Sequence, residues 1–245
     1  MPFMKRGDVS IYYEEYGSGF PVLLFAPGSL TSTIAAWRDL AAFDPTAVLS
    51  DEFRIIAMDQ RNAGQSWAPI GPDDGWSQYT EDHIALLDHL GIERAHLLGQ
   101  CIGGPFSMAL IQAQPDRVSA AAIVQPSGRI GPYTGRSIGF NQWKDALQGH
   151  PEATDEALDR MRLNLYTPDL VHTVTRDFVR GCQTPLLILA GNDQVHPLAV
   201  SEELAGLAPN AELIREWRTD ELLPAAIKRI REFLRAHVPS QAATR

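Results

Sequence analysis

Short runs of apolar residues recur along this chain of 245 residues and alternate with stretches that carry a helical pattern. Nearly continuous apolar strands are typical of a parallel sheet covered on both faces, because neither face of such a strand meets water. Strands are predicted at Val9–Tyr16, Val22–Ala26, Phe53–Asp59, Ala95–Gly99, Val118–Val124, Pro185–Ala190 and Ala211–Trp217, and helices at Tyr79–Leu90, Ile102–Gln114, Leu198–Leu207 and Glu221–His237. This alternation indicates an α/β fold with a mostly parallel central sheet and helices on both faces.

One long stretch interrupts the alternation. Residues 127–181 contain three clustered glycines, the aromatic residues Tyr133, Phe140 and Trp143, and weakly helical segments. Because this stretch lies between two predicted strands of one sheet, we interpret it as a small helical lid inserted over the site. The whole chain, 1–245, is then a single domain, a size that one α/β domain commonly reaches.

Charge and composition limit the partners that this chain is expected to bind. The formal net charge is −9 and no cluster of Lys or Arg is visible, which disfavours nucleic acids and anionic membranes. The N-terminal residues contain no apolar core of signal-peptide length, and no apolar run is long enough to span a membrane, so a cytoplasmic location is expected. The expected partner is a small neutral or cationic molecule, and the oligomeric state is left open, a homodimer being one alternative.

The chain has only two cysteines, Cys101 and Cys182. They lie far apart and not in the spacing of metal ligands, so the sequence predicts neither a disulfide framework nor a zinc site. No metal or other cofactor is implied. Each thiol therefore needs its own interpretation, and Cys182, at the exit from the predicted lid, is interpreted as structural.

The predicted strand Ala95–Gly99 leads through a tight turn, Gly99-Gln100-Cys101-Ile102-Gly103-Gly104, directly into a helix. A strand, a turn of the form Gly-x-nucleophile-x-Gly and a helix make up the nucleophile elbow, in which close backbone excludes side chains at the glycine positions. Ligands of parallel α/β sheets bind outside the carboxyl ends of the strands. Cys101 is therefore predicted to be an exposed thiol in the site, the alternative being a small buried hydrophobe.

Four motifs, taken in order, resemble the α/β-hydrolase family over nearly the whole chain. They are the loop Ala26–Ser29 after the first buried strand, the turn Asp59–Ser66, the elbow around Cys101, and the loop Gly191–Pro197 after a late strand. In that family these places carry the oxyanion loop, an Asp-x-Arg-Gly-x-Gly-x-Ser turn, the nucleophile and the catalytic acid. The resemblance implies the α/β-hydrolase fold and a cysteine in place of the usual serine, as also in the Gly-x-Cys-x-Gly-Gly elbows of dienelactone hydrolases and polyhydroxyalkanoate synthases.

The resemblance also implies roles for individual residues. Cys101 is the nucleophile, and the backbone amides of Gly28 and Ile102 are the two oxyanion donors. Asp193 is the acid. The alternatives are that the two amides only line turns, and that Asp193 only caps the helix predicted to begin near Leu198.

The family's histidine is missing from its usual place after the last strand. That place falls within Glu216–Asp220, which contains no histidine. Downstream, His237 lies at the far end of the last predicted helix, roughly 20 Å from the start of that helix at about 1.5 Å per residue. Upstream, His196 precedes Pro197, which favours an extended backbone at His196. The favoured interpretation is a site without a general base. The less favoured alternative is that the His196 side chain reaches the gap left by the missing histidine.

A thiol needs a base less than a hydroxyl does, because a cysteine at a helix N-terminus can react as the thiolate without one. Deacylation would still be slow, since activation of water is also the histidine's task. The first hypothesis is a cysteine-dependent hydrolase or acyl-transfer enzyme acting on a small uncharged ester, lactone or thioester. The alternatives are a small-molecule binding protein that has lost catalysis and a cofactor-free non-hydrolytic enzyme such as a lyase. A histidine that reaches the thiol, either His196 or one from the lid, favours hydrolysis. Trp217 or Arg218 in the gap left by the missing histidine favours the alternatives.

Overall fold

The computed structural model describes residues 2–133, 139–168 and 170–240. Eight strands lie within these residues: β1 (Phe3–Arg6), β2 (Val9–Tyr16), β3 (Phe20–Phe25), β4 (Phe53–Met58), β5 (Ala95–Gln100), β6 (Val118–Val124), β7 (Leu186–Leu189) and β8 (Ala211–Ile214). The α-helices within the same residues are α1 (Ala36–Asp39), α2 (Pro45–Val48), α3 (Trp76–His89), α4 (Gly103–Ala113), α5 (Phe140–Ala146), α6 (Asp155–Tyr166), α7 (Arg176–Gly181), α8 (Leu198–Leu207) and α9 (Leu223–Ala236).

The strands form one sheet in the order β1-β2-β4-β3-β5-β6-β7-β8. Strands β3 to β8 are parallel to one another, whereas at one edge β2 pairs antiparallel with both β4 and β1. The predicted mostly parallel sheet is therefore confirmed, and each of the seven predicted strands is present. The additional strand, β1, is an edge strand of four residues in which only Met4 is fully buried, so it carries too little apolar pattern to be recognised.

Successive residues of the central strands point to opposite faces of the sheet and enter two separate hydrophobic clusters. In β5, Leu97 packs with α3 and α4 on one face, and Leu98 packs with α1 and α9 on the other. Both leucines are fully buried. The near-continuous apolar sequence of the strands follows from this burial on both faces, and the sheet places all parallel strand ends along one edge.

The turn after β4 fixes the loop after β3. Asp59, which is buried, accepts hydrogen bonds at 2.8 Å from the Ile34 amide and at 2.9 Å from the Gln65 amide. The Gln60 amide donates to the Ser32 carbonyl at 3.0 Å. Burial is the main reason that the pKa of Asp59 is raised, and the two amide donors counteract part of it. The Asp59–Ser66 motif is therefore a structural turn that holds the segment following Ala26 in position.

Helices α5, α6 and α7 lie in the segment interpreted as a lid, between β6 and β7. Helix α5 packs against the short 3₁₀ turn Ser29–Thr31, next to the end of β3. Residues 134–138 and 169 of the predicted lid lie outside the described residues, and the boundaries 127–181 stay a prediction. No helix in the described ranges is both long and apolar enough to cross a membrane.

Candidate active site

Cys101 occupies the turn between β5 and α4 with a left-handed backbone, φ 58°. Its amide donates to the Val124 carbonyl at 3.0 Å, and its carbonyl accepts from the Ser127 amide at 2.9 Å, so both sides of the turn are tied to the end of β6 and the residues after it. A positive φ is uncommon outside glycine and is a known form of strain at functional sites. Its side chain is half-buried, between the exposed thiol that the sequence predicts and the buried alternative.

The two glycines of the elbow are required by close backbone contacts. A Cβ at Gly99 would lie 2.2 Å from the Gly103 carbonyl oxygen, and a Cβ at Gly103 would lie 2.3 Å from the Phe25 carbonyl oxygen. Neither distance is compatible with a side chain. The second contact also brings the end of β3 against the first residue of α4, in agreement with the pairing of Phe25 with Gly99 in the sheet.

The two amides expected to bind an oxyanion lie at these adjoining ends. Gly28 follows β3 with φ 120°, which favours glycine, and Ile102 directly precedes the first residue of α4. Within the described part of the chain, neither amide donates a hydrogen bond. Both N–H groups are therefore available to a ligand, as an oxyanion hole requires.

Asp193 and His196 are joined within one short loop after β7. The Asp193 carboxylate accepts from the Val195 amide at 2.8 Å and from the His196 amide at 2.9 Å. Both of its oxygens also lie 2.9 Å from His196 Nδ1. Asp193 thus orients both the loop backbone and the imidazole, so that Nδ1 carries the proton shared with the carboxylate and Nε2 is directed elsewhere.

Gly191 makes room for His196 to fold back over the loop. A Cβ at this position would lie 2.4 Å from the His196 Cβ and 2.3 Å from the His196 carbonyl oxygen. His196 can pack against the backbone of residue 191 only because Gly191 has no side chain. The extended conformation that Pro197 favours for its predecessor does not prevent this, since the loop reverses direction before it reaches His196.

The remaining imidazole nitrogen, His196 Nε2, is buried and has no oxygen or nitrogen partner among the described residues, whereas the Cys101 sulfur is close enough to act on the imidazole. Burial disfavours the charged imidazolium, but the neighbouring Cys101 sulfur and the Asp193 carboxylate outweigh it and raise the pKa of His196. Burial also disfavours the Asp193 carboxylate, yet its hydrogen bonds to His196 lower the pKa of Asp193. The structure thus places His196 beside the thiol, which is the alternative that the sequence favoured less.

The segment after β8, where the family's histidine was expected, is filled differently. The Trp217 side chain is buried in the cluster that contains α9, and its indole N–H donates to the Ala190 carbonyl at 2.8 Å. Arg218 Nη1 lies 4.0 Å from Asp193 Oδ2. Trp217 thus supports the backbone just before the Asp193 loop, and the Arg218 guanidinium lies near the same carboxylate oxygen that contacts the histidine.

Aromatic residues of the lid and of α3 lie across from the elbow. Tyr166, at the end of α6, has its hydroxyl 3.1 Å from the Ser29 hydroxyl. The Trp76 and His172 rings are parallel, with centroids 6.4 Å apart, and the His172 ring meets the Tyr166 ring edge-on. Trp76 thus belongs to this aromatic group, and Tyr166 was not recognised from the sequence.

The paired shifts of His196 and Asp193 predict a pH-dependent contribution to stability. A raised histidine pKa stabilises the fold below about pH 6.5 and loses this effect as the pH rises through the folded value; a lowered aspartate pKa stabilises it above about pH 4. The difference in unfolding free energy between the wild type and His196→Gln should therefore be largest near pH 5 to 6. Because the Asp193 side chain is 42% exposed, we expect a difference of at most about 1 kcal/mol, measurable by urea titration across pH; a difference that grows towards pH 9 would contradict it.

The chain is similar to known proteins both in sequence and in fold. The sequence model described as the alpha/beta hydrolase fold matches residues 21–156. A protein of Azorhizobium caulinodans named "Putative carbamate hydrolase RutD" is 32% identical over 168 residues, which cover 69% of this chain and 59% of that protein. The match thus spans less than two thirds of that relative. The 3-oxoadipate enol-lactonase 2 of Acinetobacter baylyi is 31% identical over 51% of this chain and 44% of its own length.

Among solved structures, the enol-lactonase from Burkholderia xenovorans LB400 has a TM-score of 0.72 at 24% identity and covers 96% of this chain and 100% of that one.

Proposed function

Because the chain belongs to the alpha/beta hydrolase fold family, we propose that it is a hydrolase whose nucleophile is the Cys101 thiol. His196 is the general base and acid, Asp193 orients it, and the Gly28 and Ile102 amides bind the oxyanion. The substrate is a small uncharged ester, lactone or thioester. The names of two relatives, a carbamate hydrolase and an enol-lactonase, agree with cleavage of a bond between a carbonyl carbon and a heteroatom.

The observation that carries this proposal is the environment of His196. Its Nδ1 is held by Asp193, and its buried Nε2, which has no oxygen or nitrogen partner among the described residues, lies near the Cys101 sulfur. A nucleophile, a base within reach of it and a third group that orients the base are the arrangement that activates a nucleophile in covalent catalysis. A site that only bound a ligand would need none of this order.

The first half of the reaction transfers the acyl group to the protein. His196 Nε2 takes the Cys101 proton, and the sulfur forms a bond to the carbonyl carbon while the carbonyl π electrons move to the oxygen. The Gly28 and Ile102 amides donate to this oxyanion. When the carbonyl re-forms, the bond to the leaving group breaks, and the leaving group takes the proton from His196.

The second half releases the product. His196 removes a proton from a water molecule, the resulting hydroxide adds to the thioester carbon, and the oxyanion forms again at the same two amides. Collapse breaks the carbon–sulfur bond, and the Cys101 sulfur regains its proton from His196. A base is thus needed in both halves, and its presence favours turnover over a permanently acylated thiol.

The proposal is tested by turnover of a panel of uncharged aryl esters, small lactones and alkyl thioesters. The wild type is expected to hydrolyse at least one class, and Cys101→Ala to lose that activity to background. Cys182→Ala is the matched control, because Cys182 is buried, and burial raises the pKa of its thiol; this variant should retain full activity. No turnover of any class, with tight binding of one of the compounds, would instead favour a binding protein.

A further inference from the structure

Tyr166 stands at the oxyanion side of the elbow. Its hydroxyl lies 3.1 Å from the hydroxyl of Ser29, the residue that directly follows the oxyanion-loop glycine Gly28. The phenol also lies within electrostatic range of the nucleophile, because charge on the Cys101 sulfur is among the causes that raise the pKa of Tyr166. A side chain of the lid thus reaches the space between the oxyanion loop and the thiol.

The phenol is a donor and not a base in this position. Burial is the main cause that raises the pKa of Tyr166 to about 12, against a smaller opposite effect of the Ser29 hydroxyl. The phenol therefore keeps its proton throughout the neutral range. A buried, protonated hydroxyl is stable only with a hydrogen-bond partner, and a substrate oxygen offers a better acceptor than the neutral hydroxyl of Ser29, above all once that oxygen is negatively charged.

The surroundings of Tyr166 hold the phenol in place. The guanidinium of Arg129 donates to the carbonyl oxygens of Tyr166 and Thr167, at the C-terminal end of α6, where cations and donors stabilise a helix. The Tyr166 ring is 6% exposed and meets the Phe140 ring edge-on at 6.2 Å between centroids. Donors fixed before the reaction stabilise developing charge most effectively, because they need not reorganise.

We propose that Tyr166 is a further catalytic residue, whose phenol donates a hydrogen bond to the substrate carbonyl oxygen beside the amides of Gly28 and Ile102. This inference rests on the proposed function, since it assigns a third donor to the oxyanion of that reaction. No proton is transferred: the phenol hydrogen bond to the carbonyl oxygen shortens as negative charge develops there and lengthens again when the carbonyl re-forms. Ser29 orients the phenol in the free protein.

The test compares Tyr166→Phe with the wild type in acylation of Cys101 by a series of aryl acetates whose phenol leaving groups differ in basicity. Rates are followed by rapid quench and intact mass. Loss of one oxyanion donor is expected to slow acylation on the order of 100-fold, by the same factor for every leaving group. The matched control is Tyr133→Phe, which removes a lid phenol that accepts a hydrogen bond from Arg162 at 2.8 Å; it should leave the rates unchanged.

Alkylation of Cys101 by iodoacetamide distinguishes this role from a structural one, because that reaction forms no oxyanion. Tyr166→Phe should alkylate at the wild-type rate. Equal slowing of alkylation and acylation, unchanged acylation, or slowing confined to the most basic leaving groups would each overturn the inference while leaving the proposed function intact. A wild-type protein that alkylates at Cys101 but is acylated by none of the esters would contradict the proposed function, and the inference with it.

Discussion

His196→Ala is expected to lower kcat/KM by about 1000-fold, within the range of roughly 100- to 10,000-fold that general acid–base catalysis contributes. The imidazole is needed at both steps, to take the thiol proton and then to activate water. Because the thiol retains some nucleophilicity without a base, acylation should fall less than deacylation. The variant should therefore retain the acyl group that the wild type loses quickly, and both quantities can be read from one time course by absorbance and intact mass.

His89→Ala is the matched control for this variant, since His89 lies at the end of α3 and contacts Tyr13. It should retain wild-type kcat/KM. Added imidazole should restore part of the activity of His196→Ala, because the deleted ring leaves space beside the sulfur. Wild-type turnover in His196→Ala would show that some other group is the base.

Gly191→Ala is expected to lower kcat/KM on the order of 100-fold without unfolding the protein. One added methyl group would meet the Cβ and the carbonyl of His196, so the imidazole must move away from Cys101. Displacement of a catalytic group by about 1 Å can cost 100-fold in rate. The measurement is kcat/KM together with the thermal unfolding midpoint, which should fall by a few degrees at most because residues 192–194 are exposed and can shift without opening the core.

Gly206→Ala is the matched control, because a Cβ at Gly206 has no atom within 4 Å and alanine favours the helix α8 that contains it. The double variant Gly191→Ala with His196→Ala provides a second check. Since Gly191 acts through the histidine, the double variant should be no slower than His196→Ala alone. Multiplied effects would contradict this role of Gly191.

The sheet could be predicted from the sequence because its strands are buried on both faces. Runs such as Val118–Val124 are apolar at every position except Ser119, and the structure gives this strand the same bounds. The elbow was also predictable, since Gly99 and Gly103 are needed by backbone contacts that any chain with this turn must make. These features depend on local sequence and on a general packing rule, so a single sequence is sufficient.

The position of His196 was not predictable from local preferences. Pro197 favours an extended conformation before it, and the reversal that brings His196 back to Asp193 depends on the missing side chain at Gly191. The sequence did contain a signal for this arrangement. Gly191, two residues before Asp193, leaves space that the side chain three residues after Asp193, His196, can fill. Tyr166 was missed for a different reason, because its contact with Ser29 joins residues 137 positions apart.

The central claim is that Cys101 becomes acylated and that His196 then releases the acyl group. The most direct measurement is rapid-quench mass spectrometry of the wild type and His196→Ala after mixing with p-nitrophenyl acetate, with the adduct assigned to a cysteine by peptide mapping. We predict one acetyl group on Cys101 in both proteins, lost quickly by the wild type and retained by His196→Ala. Product formation by the wild type without any adduct on Cys101, or an adduct lost equally fast from both proteins, would contradict the account.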